Sequence, residues 1–138
     1  MDSAMAIAAS GMAAASASIA VSASNIVNIE STGPVPPTSP SLPVPQTTRN
    51  VYQPVSAMLT PSPGGGVQAT ISNTLPSYTL AYDPSAPFAN LQGMVAAPNV
   101  DPVAETVNQI SAAAAFQANL SMFKAADKDF TSLLDMLA

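Results

Sequence analysis

The sequence predicts a mainly α-helical fold with a small β-rich middle. N- and C-terminal helices pair as a coiled coil, and a Pro-rich linker and short antiparallel strands lie between them. Three observations carry this expectation. Thirteen of the fourteen prolines fall between Thr32 and Pro98. The Ala-rich segment before them has no Pro, and the segment after them has one, at a position helices tolerate. Large apolar residues in both end segments recur at helical spacing. The chain therefore divides into a helix within 1–31, a Pro-rich linker over 32–50, a β-rich or irregular region over 51–98 and a helix within 99–138.

In the first helix Met5, Met12, Ile19 and Ile26 stand seven residues apart. That is a coiled-coil period, which keeps one stripe facing one partner. Most other positions are Ala or Ser, which let neighbouring backbones approach closely. A core helix of an ordinary small bundle shows the same stripe but also a charged outer face, and from Ser3 to Ile29 there is no charge at all.

Pro34, Pro36, Pro37, Pro40, Pro43 and Pro45 read as a stiff, extended spacer. Three strands are expected after it: Val51–Leu59, interrupted by Pro54; Val67–Ser72, with Val67, Ala69 and Ile71 alternating; and Leu75–Tyr82, with Tyr78, Leu80 and Tyr82 alternating. Pro63-Gly64-Gly65-Gly66 reads as the turn between the first two.

The second helix opens on a start signal. Asp101 suits the N-cap, Pro102 the first helical position, and Glu105 the first turn, where the helix dipole favours an acid. Two apolar seams follow. Val103, Val107, Ile110 and Ala114 form the first; Phe116, Leu120, Phe123, Phe130, Leu134 and Leu137 form the second, on nearly the opposite side. The helix either bends near Ala112–Ala115 or buries opposite faces in its two halves. Asp127 interrupts the second seam, and reads as a solvated partner of Lys124 before it reads as a register-fixing charge.

Composition narrows the function. Without Cys or His there is no disulfide, thiolate or imidazole chemistry. Three basic residues, Arg49, Lys124 and Lys128, cannot build a face for phosphates, so no nucleic-acid partner is expected. No catalytic, cofactor-binding or metal-ligating constellation appears; the triple Gly lacks the Lys and Ser or Thr of a phosphate loop. Charged residues make up 8% of the chain, against about 25% in an ordinary soluble domain. Such a surface is expected to be hidden in a partner or in copies of the chain. Ser and Asn interrupt the first helix and no basic n-region precedes it, so neither a membrane span nor a cleaved signal peptide is expected.

Motifs at both ends then carry a resemblance. Ser10-Gly11-Met12-Ala13-Ala14, followed by Ala23-Ser24-Asn25-Ile26-Val27-Asn28, resembles the N-terminal motif of the bacterial flagellar rod and hook family, with Val27 in place of the usual Ala. Tyr82-Asp83-Pro84, Asn90, Gly93, then Pro98-Asn99-Val100-Asp101-Pro102-Val103-Ala104-Glu105 resemble the signature of its proximal-rod branch. Phe116-Gln117-Ala118-Asn119 is similar to the family's aromatic-Q-x-N element. The Pro-rich stretch after the first helix departs from the usual link.

The resemblance implies a structural subunit, exported without a cleaved signal into the periplasmic rod of the basal body. It would transmit torque and have neither enzymatic activity nor a cofactor. Its partners would be copies of itself and other rod proteins, toward the membrane ring and export apparatus on one side and the distal rod on the other. The subunit-packing positions expected are Met5, Met12, Ile19, Asn25, Ile26, Asn28, Val103, Val107, Ile110, Phe116, Leu120, Phe123, Phe130 and Leu134. Another axial subunit of the rod and hook family, a non-flagellar helical adaptor and a largely disordered secreted protein are the alternatives.

Overall fold

A computed structural model describes residues 2–36 and 50–137. The linker prolines Pro37, Pro40, Pro43 and Pro45 lie outside the described residues. In order come helix α1 (Asp2–Val27), strands β1 (Val55–Pro61), β2 (Val67–Asn73), β3 (Tyr78–Tyr82) and β4 (Met94–Pro98), and helix α2 (Pro102–Leu137). The helix–middle–helix order is as the proline distribution predicts, but the middle is more regular than expected. It holds two separate two-stranded antiparallel sheets, β1–β2 and β3–β4, so helix and strand content is mixed.

α1 and α2 pack against each other in antiparallel fashion. Asn25, near the end of α1, bonds to Glu105 at the start of α2, and Gly11 abuts Asn119. Both pairs of residue numbers add to 130, so Asp2 stands level with Lys128. At 1.5 Å per residue, α1 runs roughly 39 Å and α2 roughly 54 Å.

Small residues make the α1 side of this contact. Ala8, Ala14, Ala15, Val21, Ser22 and Asn25 are buried. Met5, Met12, Ile19 and Ile26 sit about 100° to one side of the centre of that stripe, half-buried. α2 is one uninterrupted helix. Its less exposed positions are Glu105, Gln109, Ala112, Phe116, Asn119, Phe123 and Ala126, a strict 4-3 repeat, with Leu120 beside them. One seam therefore runs the length of the contact, in place of two opposite ones within the chain. Its N-terminal half is polar or small because it meets Asn25, Ser22 and Ser18. The seam expected from Val103, Val107 and Ile110 is turned outward, at 70%, 56% and 66% exposure.

β1 starts one residue after Pro54, which lacks an amide hydrogen and is itself fully buried. The turn from Ser62 to Gly66 joins it to β2, closed by Ser62 N–H to Gly66 O at 3.0 Å. Gly65 and Gly66 take φ of 89° and 85°, a region that only Gly enters freely. This hairpin packs on α1.

β4 was not anticipated from the sequence. Met94–Pro98 pairs with Tyr78–Tyr82 on one edge, and on the other edge Ala96 exchanges two backbone hydrogen bonds with Gly33, each 2.9 Å. Caught between two neighbours, Val95 and Ala96 are fully buried. The cue was there: a short apolar run between Gly93 and Pro98 fits a buried strand. The expected strand at Leu75–Tyr82 is shorter, beginning at Tyr78.

Candidate assembly surfaces

The motif residues meet one another in pairs. Asn25 is 1% exposed and makes four hydrogen bonds. Its amide donates to Val55 O at 2.8 Å and to Glu105 Oε1 at 2.6 Å. Its carbonyl accepts from Val55 N–H and from the Tyr52 hydroxyl, each at 3.1 Å. Its two donor hydrogens and two lone pairs are thus all used, and one side chain ties α1, β1 and α2 together. Asn28 closes the end of α1, donating to Ser24 O at 2.8 Å.

Gly11 and Asn119 form the second pair. A Cβ at Gly11 would collide with the Asn119 amide, so the absent side chain is what allows α2 to come so near. Asn119 is held in place by its own bond to Ala115 O, 2.8 Å. One residue before Gly11, Ser10 accepts from Val67 N–H at 3.1 Å and donates to Ile7 O at 2.7 Å, docking the hairpin on α1.

The signature from Tyr82 to Glu105 is a built loop leading into α2. Asp83 Oδ1 accepts from the Ser85 amide and hydroxyl at 3.2 and 2.6 Å. Asn90 Oδ1 accepts from the amides of Gln92 and Met94 at 3.0 and 2.9 Å. Gly93 takes φ 73° with Tyr82 and Pro84 close against it. Buried Pro98 ends β4, and Asn99 reaches back to Pro76 O at 2.9 Å. Asp101 then caps α2 as expected, accepting from Val103 N–H at 2.9 Å and Ala104 N–H at 3.3 Å. The contributions of Tyr52, Ser10 and Gly33 were not legible in the sequence. Each acts through residues distant in the chain: Tyr52 through Ser24, Asn25 and Ser31, Ser10 through Val67, and Gly33 through Ala96.

The remaining expected positions divide by exposure. Phe116, Leu120 and Phe123 are half-buried on the α1 side of α2, while Phe130 and Leu134 are exposed at 41% and 51%. Asp127 and Lys124 are both exposed. Glu30 is the first charge after Asp2, so the outer face of α1, through Ala6, Ala9, Ala13, Ser16, Ala20 and Ala23, is exposed and uncharged. By length and composition Ser3–Val27 is apolar enough to cross a membrane. Here its polar side chains at Ser10, Ser24 and Asn25 are engaged with the middle of the chain and with α2.

The structure thus presents a loop braced at the head of α2 and a two-helix layer with exposed apolar residues on its outer side. The model of the flagellar basal body rod FlgEFG protein C-terminal region matches residues 91–136. The flagellar basal-body rod protein FlgC of Salmonella typhimurium is 36% identical over 117 residues, 84% of this chain and 82% of that protein. The chain belongs to the flagellar basal-body rod protein FlgC family. Its FlgC relative in Aquifex aeolicus is 33% identical over 118 residues, 85% of this chain and 82% of that protein. With FlgC of Buchnera aphidicola subsp. Schizaphis graminum the identity is 48% over 63 residues, and the chain matches 46% of the length of that relative. The FlgC family is one of structural rod subunits, which is not an enzyme class. In this chain the motif pairs Asn25–Glu105 and Gly11–Asn119 stand where its two end helices lie side by side.

Proposed function

We propose that this chain is a structural subunit of the proximal rod, co-assembling through its terminal helices with copies of itself and with other rod proteins. The helices of 1–31 and 99–138 are its polymerisation elements. They join coiled-coil layers in the assembled rod, and the middle of the chain lies outside them. The subunit passes torque across the periplasm, between the membrane ring and export side and the distal rod. It performs no catalysis, and it reaches its place by flagellar export without a cleaved signal.

The observation that carries this reading is the outward seam of Val103, Val107 and Ile110 on a chain whose neighbouring helix has no charged residue from Ser3 to Ile29. Apolar surface set out in this way is covered by neighbours in a working assembly. The test is Val107→Asp, a change at a 56%-exposed position that leaves the fold of the single chain intact. Expected is a subunit still exported yet missing from purified basal bodies, with motility lost. Full motility with Val107→Asp, and again with Ile19→Asp, would overturn the reading. A stable, compact monomer that never associates would favour the helical adaptor.

A further inference from the structure

Each small sheet has two strands and so two outer edges. One edge of each is guarded. On β4, Met94 exchanges hydrogen bonds with Asn90 and Ala96 with Gly33, while Pro98 has no N–H to offer. On β1, Val55 gives both backbone groups to the Asn25 side chain and Pro61 lacks an N–H, which leaves only Ala57 and Leu59 between them.

The other two edges are open. Thr74 N–H to Pro54 O and Ser62 N–H to Gly66 O bracket the first ladder and fix its phase. Beyond Val67, whose N–H goes to Ser10, the N–H and C=O groups of Ala69, Ile71 and Asn73 therefore point away from β1. Asn99 N–H to Ser77 O and Asp83 N–H to Gly93 O bracket the second ladder. The backbone groups of Tyr78, Leu80 and Tyr82 point away from β4. Among the described residues no hydrogen bond reaches any of these outward groups. An edge that stays single is normally protected by a charge, a Pro or a bulge. Neither β2 nor β3 holds a Pro, no charge occurs from Asn50 to Tyr82, and both registers run without a bulge.

We propose that β2 of one copy of this chain pairs antiparallel with β3 of the next, joining two sheets into one of four strands across the subunit boundary. Both halves of the fit are on this chain. Ile71 stands opposite Leu80, two side chains 57% and 56% exposed in the single chain. Small Ala69 stands opposite Tyr82, and Asn73 opposite Tyr78. The outward groups of these three pairs answer one another, and two-stranded sheets that are marginal alone gain neighbours. Within one chain β2 and β3 do not touch. The residues between them are tied to different sheets, Thr74 to Pro54 and Pro76 to Asn99. Pairing of unlike edges is head-to-tail and repeats from copy to copy, whereas like edges would close at two. The proposal rests on the rod-subunit reading and adds to it a contact made by the middle of the chain.

The chain has no Cys, so introduced thiols report single contacts. In this register Ser72 faces Thr79 of the next copy at a non-hydrogen-bonded position, where Cα atoms stand about 4.5 Å apart, within reach of a disulfide. Both residues are exposed. The Ser72→Cys/Thr79→Cys variant is produced in a strain lacking its own rod subunit, and isolated basal bodies are oxidised mildly. Expected is a covalent ladder of dimers, trimers and longer multimers. Ser72→Cys/Leu91→Cys, with its second thiol in the loop between β3 and β4, gives none. Leu80→Pro removes an outward N–H and leaves the bonds of Thr79 and Ala81 to β4 in place. It weakens the ladder about three- to tenfold, the worth of a hydrogen bond, and Leu80→Lys, a guarding charge, weakens it too. A ladder at full strength in both variants overturns the proposal. So does a disulfide between Thr79→Cys and Ala81→Cys chains, which reports β3 against β3. A Ser72–Thr79 or Ser41–Thr79 cysteine bridge inside one chain, or an adduct of Thr79→Cys with another rod protein, overturns it in the same way when no ladder forms. If the double variant enters basal bodies and restores motility without a ladder, this inference falls and the rod-subunit reading stands. Failure of the unaltered chain to enter basal bodies overturns both.

Discussion

Asn25 shows how much one side chain can hold when its surroundings use every hydrogen-bonding position. Substituting Ala strands the Val55 amide and carbonyl and the Glu105 carboxylate in a place water reaches poorly. Leaving a buried partner unsatisfied costs about 1–3 kcal/mol, so Asn25→Ala lowers unfolding free energy by about 2–4 kcal/mol in urea titrations. A loss under about 0.5 kcal/mol would mean that the node is not holding the helices. Gly11 makes the opposite demand, for the absence of a side chain. Gly11→Ala gains up to about 1 kcal/mol in helix propensity but drives a methyl into Asn119, and over-packing costs about 1–3 kcal/mol. The single change is therefore net destabilising. Adding Asn119→Ala makes room for the methyl and brings the double variant close to the unaltered chain. Measured separately, the two single changes would not add, and that non-additivity is the signature of direct contact.

At the scale of elements, the hairpin and the helices are joined at few points. The tip of β1–β2 meets α1 through Ser10, whose hydroxyl lies against Gly66 and bonds to Val67. Gly66→Ala forces a Cβ into a φ of 85° and into Ser10 together. It should free the hairpin without unfolding the helix pair. Hydrogen exchange will show this as lost protection of β1 and β2 amides, with α1 amides near Ala14 unchanged. Uniform loss across all elements would show that hairpin and helices unfold as one unit. The elements differed in how openly the sequence declared them. Asp101-Pro102 marked the start of α2 because capping is local chemistry. The Gly-rich turn and the alternation around Val67, Ala69 and Ile71 marked the first hairpin for the same reason. β4 has no such alternation, since both its faces and both its edges are occupied. The internal face of the helix pair was the least legible feature. Large apolar residues normally mark a buried stripe, but here Gly11, Ala15, Ser18 and Ser22 do that work. The Met and Ile stripe stands beside it, and the bulky Val103–Ile110 seam faces away.

For the whole molecule, that displacement of bulky residues sets the energetics. Among the described residues the buried apolar set consists of five Ala, two Val and the prolines Pro54 and Pro98, while Phe130, Leu133, Leu134, Ile110, Ile71 and Met58 are all more than 40% exposed. Small side chains bury little area, and stabilisation scales with area at about 25 cal/mol per Å². The conformational entropy of ordering two long helices is paid regardless, at roughly 1–2 kcal/mol per residue of backbone. A chain arranged in this way is expected to be poorly held alone and to gain apolar burial where neighbours cover its outer faces. α1 and α2 comprise 26 and 36 residues, together 62 of the 138. In dilute solution the far-UV circular dichroism of the purified chain should correspond to clearly fewer helical residues than these 62. The helical signal should rise with protein concentration and with co-assembly alongside other rod proteins. Val107→Asp should abolish the concentration-dependent rise while leaving the dilute spectrum unchanged, because it touches only the outward seam. Full helicity at micromolar concentration, independent of association, would show that the small-residue interface suffices by itself. The exposed seams would then add affinity between subunits without adding order within them.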